Sequence, residues 1–129
     1  MQLADVDPEI LANATGVLGT LDRAGRPQLT VVWFIVQDGH VWISINATRQ
    51  KARNLQTNDQ VSFLVTHPDS ADYYAEIRGT ATLIPDDDYR LADAIGVKYG
   101  ADFRSFDRPD DGRFIVDITP SKVIVADVR

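Results

Sequence analysis

Three cations stand within five positions of the stretch Thr48-Arg49-Gln50-Lys51-Ala52-Arg53-Asn54-Leu55, directly after the alternating apolar run His40 to Asn46. Residues 48–55 have the composition of a helix start. A helix start presents unpaired backbone N–H groups and the positive end of its dipole. Arg49, Lys51 and Arg53 add side-chain charge to that end, and the combination is suited to holding a phosphate. The competing account of the same residues is a solvated basic helix surface.

Other chemistries are poorly supported. The chain has no cysteine, so a disulfide, a thiolate zinc site and a cysteine nucleophile are all excluded. Its two histidines, His40 and His67, lie apart without clustered carboxylates, and no metal site is expected. No Gly-x-Ser-x-Gly elbow, Gly-x-Gly-x-x-Gly or Gly-x-x-x-x-Gly-Lys occurs, so a hydrolase elbow and both common nucleotide fingerprints are missing. A net charge of −6 argues against a nucleic-acid partner. No apolar stretch is long enough to span a membrane, and the start of the chain lacks the pattern of a secretory signal, so a cytoplasmic protein is expected. Asp86, Asp87 and Asp88 read as an exposed, capping helix start.

The elements that position the basic segment follow from periodicity and breakers. At 129 residues the chain is sized for one domain, 1–129. Asp7-Pro8-Glu9 predicts an N-cap and a short helix to about Asn13. Strands are predicted over Gly16–Leu21 and Gln28–Val36, with a third over Val41–Asn46 pairing with the second across the Asp38-Gly39 turn. Thr48 is expected to cap a helix that ends near Asn58. Gln60–His67 and Ala75–Ile84 read as strands around a loop over 68–74, and Ile77, Gly79, Ala81 and Leu83 should share one face. A helix from Pro85 to about Tyr99, a polar loop to Asp111 and two strands, Arg113–Ile118 and Lys122–Val128, complete the chain. The fold class is mainly β with helices (α+β): a small antiparallel barrel with helical caps.

One strand carries more than its own pairing. Leu29 to Val36 is apolar on both faces except for Thr30, whereas a strand with one face in water should alternate. A second subunit, a flat ligand or both are expected to cover the outer face; a helix of the same chain is the alternative.

Several segments, taken in order, resemble the pyridoxamine phosphate oxidase-like split β-barrel flavoproteins. They are Gly16-Val17-Leu18-Gly19-Thr20-Leu21, Gly25-Arg26-Pro27, Val32-Trp33-Phe34, Arg49-x-Lys51-x-Arg53-Asn54-Leu55 and Ile77-Arg78-Gly79-Thr80-Ala81. Within that family the chain is most similar to the short actinobacterial branch of flavin- and deazaflavin-dependent oxidoreductases, over roughly Leu11 to Val125. The resemblance implies an FMN-binding-protein-like split barrel that acts as a homodimer, with two cofactor grooves between subunits. It assigns the cofactor phosphate to Arg49 and Lys51, with Thr48, Gln50 and Asn54 as weaker candidates. The ring system is assigned to Thr30, Val31, Val32 and Trp33 on one strand and to Ser44 and Asn46 on another. Because Arg49 and Arg53 lie one turn apart and Lys51 points to a neighbouring face, Lys51 and Arg49 rank above Arg53.

The resemblance also bears on chemistry. A true pyridoxamine phosphate oxidase carries an Arg-x-His pair near its C-terminus, and this chain ends Val123-Ile124-Val125-Ala126-Asp127-Val128-Arg129 without one, so vitamin B6 oxidation is rejected. The short branch favours coenzyme F-420, a deazaflavin whose acidic tail needs further cations such as Arg23, Arg26 and Arg53. FMN is the alternative cofactor. The implied reaction is hydride transfer to a small conjugated acceptor such as a quinone or a biliverdin-like tetrapyrrole. It requires no nucleophilic side chain, so the catalytic residues stay unassigned, with Tyr73, Tyr74 and Lys98 as candidate proton donors. Two other readings stay open: an FMN-dependent oxidoreductase, and a carrier or sensor that binds cofactor without turnover.

Overall fold

A computed structural model describes residues 1–129. After a 3₁₀ turn at Leu3–Asp5, the elements run α1 (Pro8–Leu11), β1 (Thr15–Leu21), β2 (Pro27–Trp33), β3 (Ile35–Gln37), β4 (His40–Asn46) and α2 (Gln50–Thr57). They continue with β5 (Gln60–His67), β6 (Ser70–Pro85), α3 (Arg90–Tyr99), α4 (Phe103–Phe106) and β7 (Arg113–Asp127). All strand pairs are antiparallel, in the order β2-β1-β5-β6-β7-β4-β3.

That order decides the shape. The strand expected over Gln28–Val36 is divided at Phe34, and its two pieces lie on opposite edges of the sheet. β2 pairs with β1, while only β3 pairs with β4. Consecutive strands joined through a single residue cannot occupy opposite edges of a flat sheet. The sheet therefore curls until its edges meet at Phe34, giving a split barrel. Phe34 is fully buried, and its ring packs edge-on against Phe63 at 5.1 Å. The alternating inward residues of β4 (Val41, Ile43, Ile45) and β5 (Val61, Phe63, Val65) fill the interior around them. The β3–β4 turn uses Asp38 and Gly39, both at positive φ (53° and 77°), as an Asp-Gly hairpin requires.

Several boundaries differ from the sequence reading for local reasons. α1 stops at Leu11 rather than Asn13, because the Asn13 side chain donates to the Thr66 carbonyl at 2.8 Å and draws the chain toward β5. The expected loop over 68–74 is a tight turn, with Ser70 already opposite His67; Tyr73 and Tyr74 pair with Asp127 and Ala126. The last two expected strands are one, β7, with a bulge where Gly79 faces Pro120 after Arg78 has faced Lys122. A Cβ on Gly79 would lie 2.2 Å from the Thr119 carbonyl oxygen, so only glycine fits against that bulge.

The helix expected from Pro85 begins at Arg90, because β6 continues through Pro85. Asp86 is buried rather than exposed and accepts hydrogen bonds from the Leu91 and Ala92 amides, each at 3.1 Å. The polar loop expected after Gly100 contains α4, whose Phe103 packs edge-on against Trp33. No helix is long and apolar enough to cross a membrane.

Replacing Asp86 with alanine should cost about 1–2 kcal/mol, the usual cost of losing a helix cap, and lower Tm by roughly 5 °C in a thermal melt.

Candidate functional site

Closing the barrel at Phe34 brings the end of β2 near the end of β4. The cleft there, ≈ 690 Å³, is bounded by Val31–Trp33, Ser44–Asn46, the turn into α2 and the segment 103–113. This volume lies in the range of small-molecule and cofactor sites. Val31, Val32, Trp33, Ile45, Phe103 and Phe106 supply an apolar wall, and the rest of the lining is polar or charged.

Four cations line the cleft: Arg49, Lys51, Arg108 and Arg113. Arg113 is already neutralised. Its Nη1 donates to both Asp107 carboxylate oxygens (2.8 and 2.9 Å), its Nε donates to Ser44 Oγ (3.0 Å), and its guanidinium lies 4.4 Å above the Phe103 ring. Both side chains of the Asp107–Arg113 pair are 5% exposed. Burial raises the Asp107 pKa, but hydrogen bonds from Tyr89, Arg113 and Asn46 outweigh it and hold the carboxyl below its usual range. Tyr89 serves that contact from a left-handed backbone (φ 57°), an uncommon conformation for an aromatic residue, with its hydroxyl 2.6 Å from Asp107 Oδ2.

Arg49 and Lys51 have no such partner; no carboxylate lies within ion-pair distance of either. Lys51 is half-buried, and desolvation followed by the positive charges of Arg49 and Arg113 pushes its pKa below the ordinary lysine value. Arg49 is the N-cap of α2 and makes no side-chain hydrogen bond to the first turn. Thr48 does not cap the helix as expected; its hydroxyl donates to Asn46 Oδ1 at 2.6 Å, and the helix begins at Gln50. Arg49 and Lys51, uncompensated and beside open helix N–H groups, have the chemistry to hold an anion.

The cleft lining includes Val31, Val32, Trp33, Ser44, Asn46, Thr48, Arg49 and Lys51, and leaves Thr30, Gln50 and Asn54 elsewhere. Thr30 Oγ1 is buried without a partner. Asn54 is buried and bonds Thr20 Oγ1 (3.0 Å) and Gln28 Oε1 (3.2 Å), while Gln50 donates to Asn54 Oδ1 (2.8 Å); this chain of amides fastens α2 to β1 and β2. Arg53 folds back on the Thr48 carbonyl (2.7 Å) and on Gln50. Trp33 stacks on Tyr99 with ring centroids 4.8 Å apart. None of Tyr73, Tyr74 and Lys98 lines the cleft: Tyr73 donates to Asp7 and Lys98 to the Phe34 carbonyl.

Sequence reasoning missed the wall from 103 to 113. Its signals were the aromatic pair Phe103 and Phe106 at i,i+3 and the Asp102 side chain, which accepts from the Arg104 amide and starts α4.

A family model described as pyridoxamine 5'-phosphate oxidase matches residues 4–126. An F420 reductase of known structure is similar, with a TM-score of 0.80 at 24% identity over 93% of this chain and 96% of that one. The conserved hypothetical protein Rv2991 from Mycobacterium tuberculosis gives 0.79 at 28% identity, over 100% of this chain and 86% of that one. A pyridoxamine 5'-phosphate oxidase-related, FMN-binding protein from Nostoc punctiforme gives 0.65 at 18% identity, over 87% and 74%.

The two kinds of cation predict opposite effects on stability. Lys51→Met should raise the Tm of the ligand-free protein near neutral pH, because the folded state disfavours protonated Lys51. That gain should shrink as pH rises from the depressed folded pKa toward the ordinary lysine value of 10.5, read by melts across pH. Asp107→Asn strands the buried Arg113 charge and should cost about 3–5 kcal/mol in urea unfolding. The wild-type advantage from ionised Asp107 is present above the ordinary carboxylate value of 3.8 and is lost as pH falls through the lower folded pKa.

Proposed function

Because this chain belongs to the pyridoxamine 5'-phosphate oxidase family, we propose that it is an oxidoreductase that binds coenzyme F-420 in the Arg49–Lys51 cleft and passes hydride to a small conjugated acceptor. The observation that carries this reading is that Arg49 and Lys51, like Arg108, line the cleft without a carboxylate partner, beside the apolar wall of Val31, Val32 and Trp33. A half-buried lysine with no counter-ion costs stability in the empty protein, and an anionic ligand group removes that cost.

The donor set fits a flat ring carrying a phosphate. Arg49, Lys51 and the first-turn N–H groups of α2 hold the anion. Val31, Val32 and Trp33 offer an apolar face, and Phe103 and Phe106 add apolar surface from the 103–113 wall. The bound deazaflavin supplies two-electron hydride chemistry. The protein's task is then alignment of two planar molecules, which needs no nucleophile.

F-420 is favoured over FMN by a second groove, ≈ 450 Å³, on the flank of α2 lined by Gln50 and Arg53. Arg23 and Arg26 also line it, so the three arginines suited to an acidic tail share one surface, although Arg26 is already paired with Asp22.

The same reading includes a homodimer. Leu29 and Val31 on edge strand β2 are each 69% exposed, and a second copy covering them would complete the groove.

Equilibrium titration with F-420 and FMN, followed by cofactor fluorescence, should give micromolar or tighter F-420 binding and much weaker FMN binding. The reverse order moves the protein to FMN chemistry, and no binding of either removes the proposal. Lys51→Met should weaken F-420 binding by about 10–100-fold, the worth of one charge-assisted hydrogen bond. Light scattering at micromolar concentration should give a dimer mass that Leu29→Lys converts to a monomer; a monomeric wild type would sink the shared groove.

A further inference from the structure

Asn46 lines the cleft, and its side chain has nothing left to offer a ligand. An amide has two lone pairs on Oδ1 and two hydrogens on Nδ2. Oδ1 accepts from the Thr48 amide (2.9 Å) and from Thr48 Oγ1 (2.6 Å). Nδ2 donates to Asp107 Oδ1 (3.0 Å) and to Asp111 Oδ2 (2.9 Å). The orientation of the amide is dictated by these partners. Reversed, it would set N–H against N–H at Thr48 and oxygen against two carboxylates.

These four bonds join the two polar walls. On one side, Asn46 shapes the turn that leads to Arg49 and Lys51, and its own carbonyl accepts from the Arg49 amide at 3.2 Å. On the other, it holds both ends of the 107–111 segment, where Asp111 also accepts from the Arg108 amide at 2.9 Å and Asp107 is gripped by Arg113 and Tyr89. Both carboxylates have pKa values held below the usual range, with hydrogen bonds from Asn46 among the causes. Arg108 is carried by this segment and Phe106 directly precedes it, so the placement of that wall depends on the Asn46 amide.

We propose that Asn46 is a positioning residue that couples the Arg49–Lys51 anion turn to the Phe103–Asp111 wall, so that an anion bound at the turn orders the wall. Coupling of this kind is reciprocal: loosening the wall weakens the anion site by the same factor. Only the ligand arm of the test rests on the cofactor reading above.

Asn46→Asp separates the two functions. The carboxylate still accepts both Thr48 bonds, while both donors are lost and a third negative group faces Asp107 and Asp111. Hydrogen exchange read by mass spectrometry should show residues 103–111 exchanging at least tenfold faster than in the wild type, with 48–52 unchanged. In the wild type, saturating F-420 should slow exchange across 103–111, and that ligand-dependent slowing should be absent from the variant. A merely structural Asn46 would lower the starting protection and leave the slowing intact, which overturns the coupling. Direct ligand contact would weaken F-420 binding with 103–111 unchanged, and that overturns the assignment.

If Asn46→Asp does not fold, Asp111→Ala cuts one of the two ties and should speed exchange over 103–111 at least threefold; unchanged rates overturn the proposal. If F-420 does not bind, only the cofactor reading falls, and inorganic phosphate takes its place as the anion: slowing across 103–111 in the wild type that is absent from Asn46→Asp keeps the coupling, and no slowing in the wild type overturns it.

Discussion

The rest of the structure depends on one backbone step, the passage through Phe34 from one edge of the sheet to the other. A residue between two strands that pair with different partners is outside both ladders, and its buried carbonyl needs another donor. Two are supplied by the end of α3: Lys98 Nζ at 3.1 Å and the Tyr99 hydroxyl at 2.9 Å. The Tyr99 ring then stacks on Trp33, and Phe103 meets Trp33 edge-on. Closure of the barrel, docking of α3 and placement of the aromatic end of the cleft are thus one arrangement. The doubly apolar strand is explained in part by it: α3 and α4 of the same chain cover Trp33, while Leu29 and Val31 face outward.

Charge in the cleft is divided between two uses. Arg113 and Asp107 form a buried pair, one guanidinium nitrogen bonding both carboxylate oxygens, with further bonds to Ser44, Tyr89 and Asn46, and they hold a wall whose only regular structure is one turn of helix. A buried ion pair of this kind is a weak source of net stability, but it specifies one geometry because leaving either partner alone is costly. Arg49 and Lys51, which line the same cleft, are left uncompensated. Repulsion between them and desolvation of Lys51 persist in the ligand-free protein, a local destabilisation of the sort commonly kept at binding sites.

The barrel class and three of the four α-helices were legible in local pattern, the helices with shifted ends, while α4 lies where the sequence reads as a polar loop. The alternation of β4 and β5, the Asp38-Gly39 hairpin and the basic start of α2 depend on neighbours in sequence, and all three appear where the residues place them. The Arg49–Lys51 half of the cleft was readable for the same reason, since helix-end chemistry is set by four or five consecutive residues. Thr48 misled because two hydrogen-bonding options compete for a short hydroxyl side chain, and the Asn46 oxygen won over the helix amides.

What only the tertiary structure decided are the features that depend on distant partners. The break at Phe34 has no glycine or proline to announce it, because it follows from which edge each half of the strand joins. The length of β7 is set by β6 running beside it, and Pro120 is accommodated by a bulge that only the paired strand reveals. Asp107 and Arg113 looked like unrelated charges in a polar loop and at a strand start; burial together gives them their role. Asn46 reads in sequence as a residue available to a ligand. It is saturated by Thr48, Asp107 and Asp111, the last two about sixty positions away, because a side chain's free valences are counted only after the chain has folded around it.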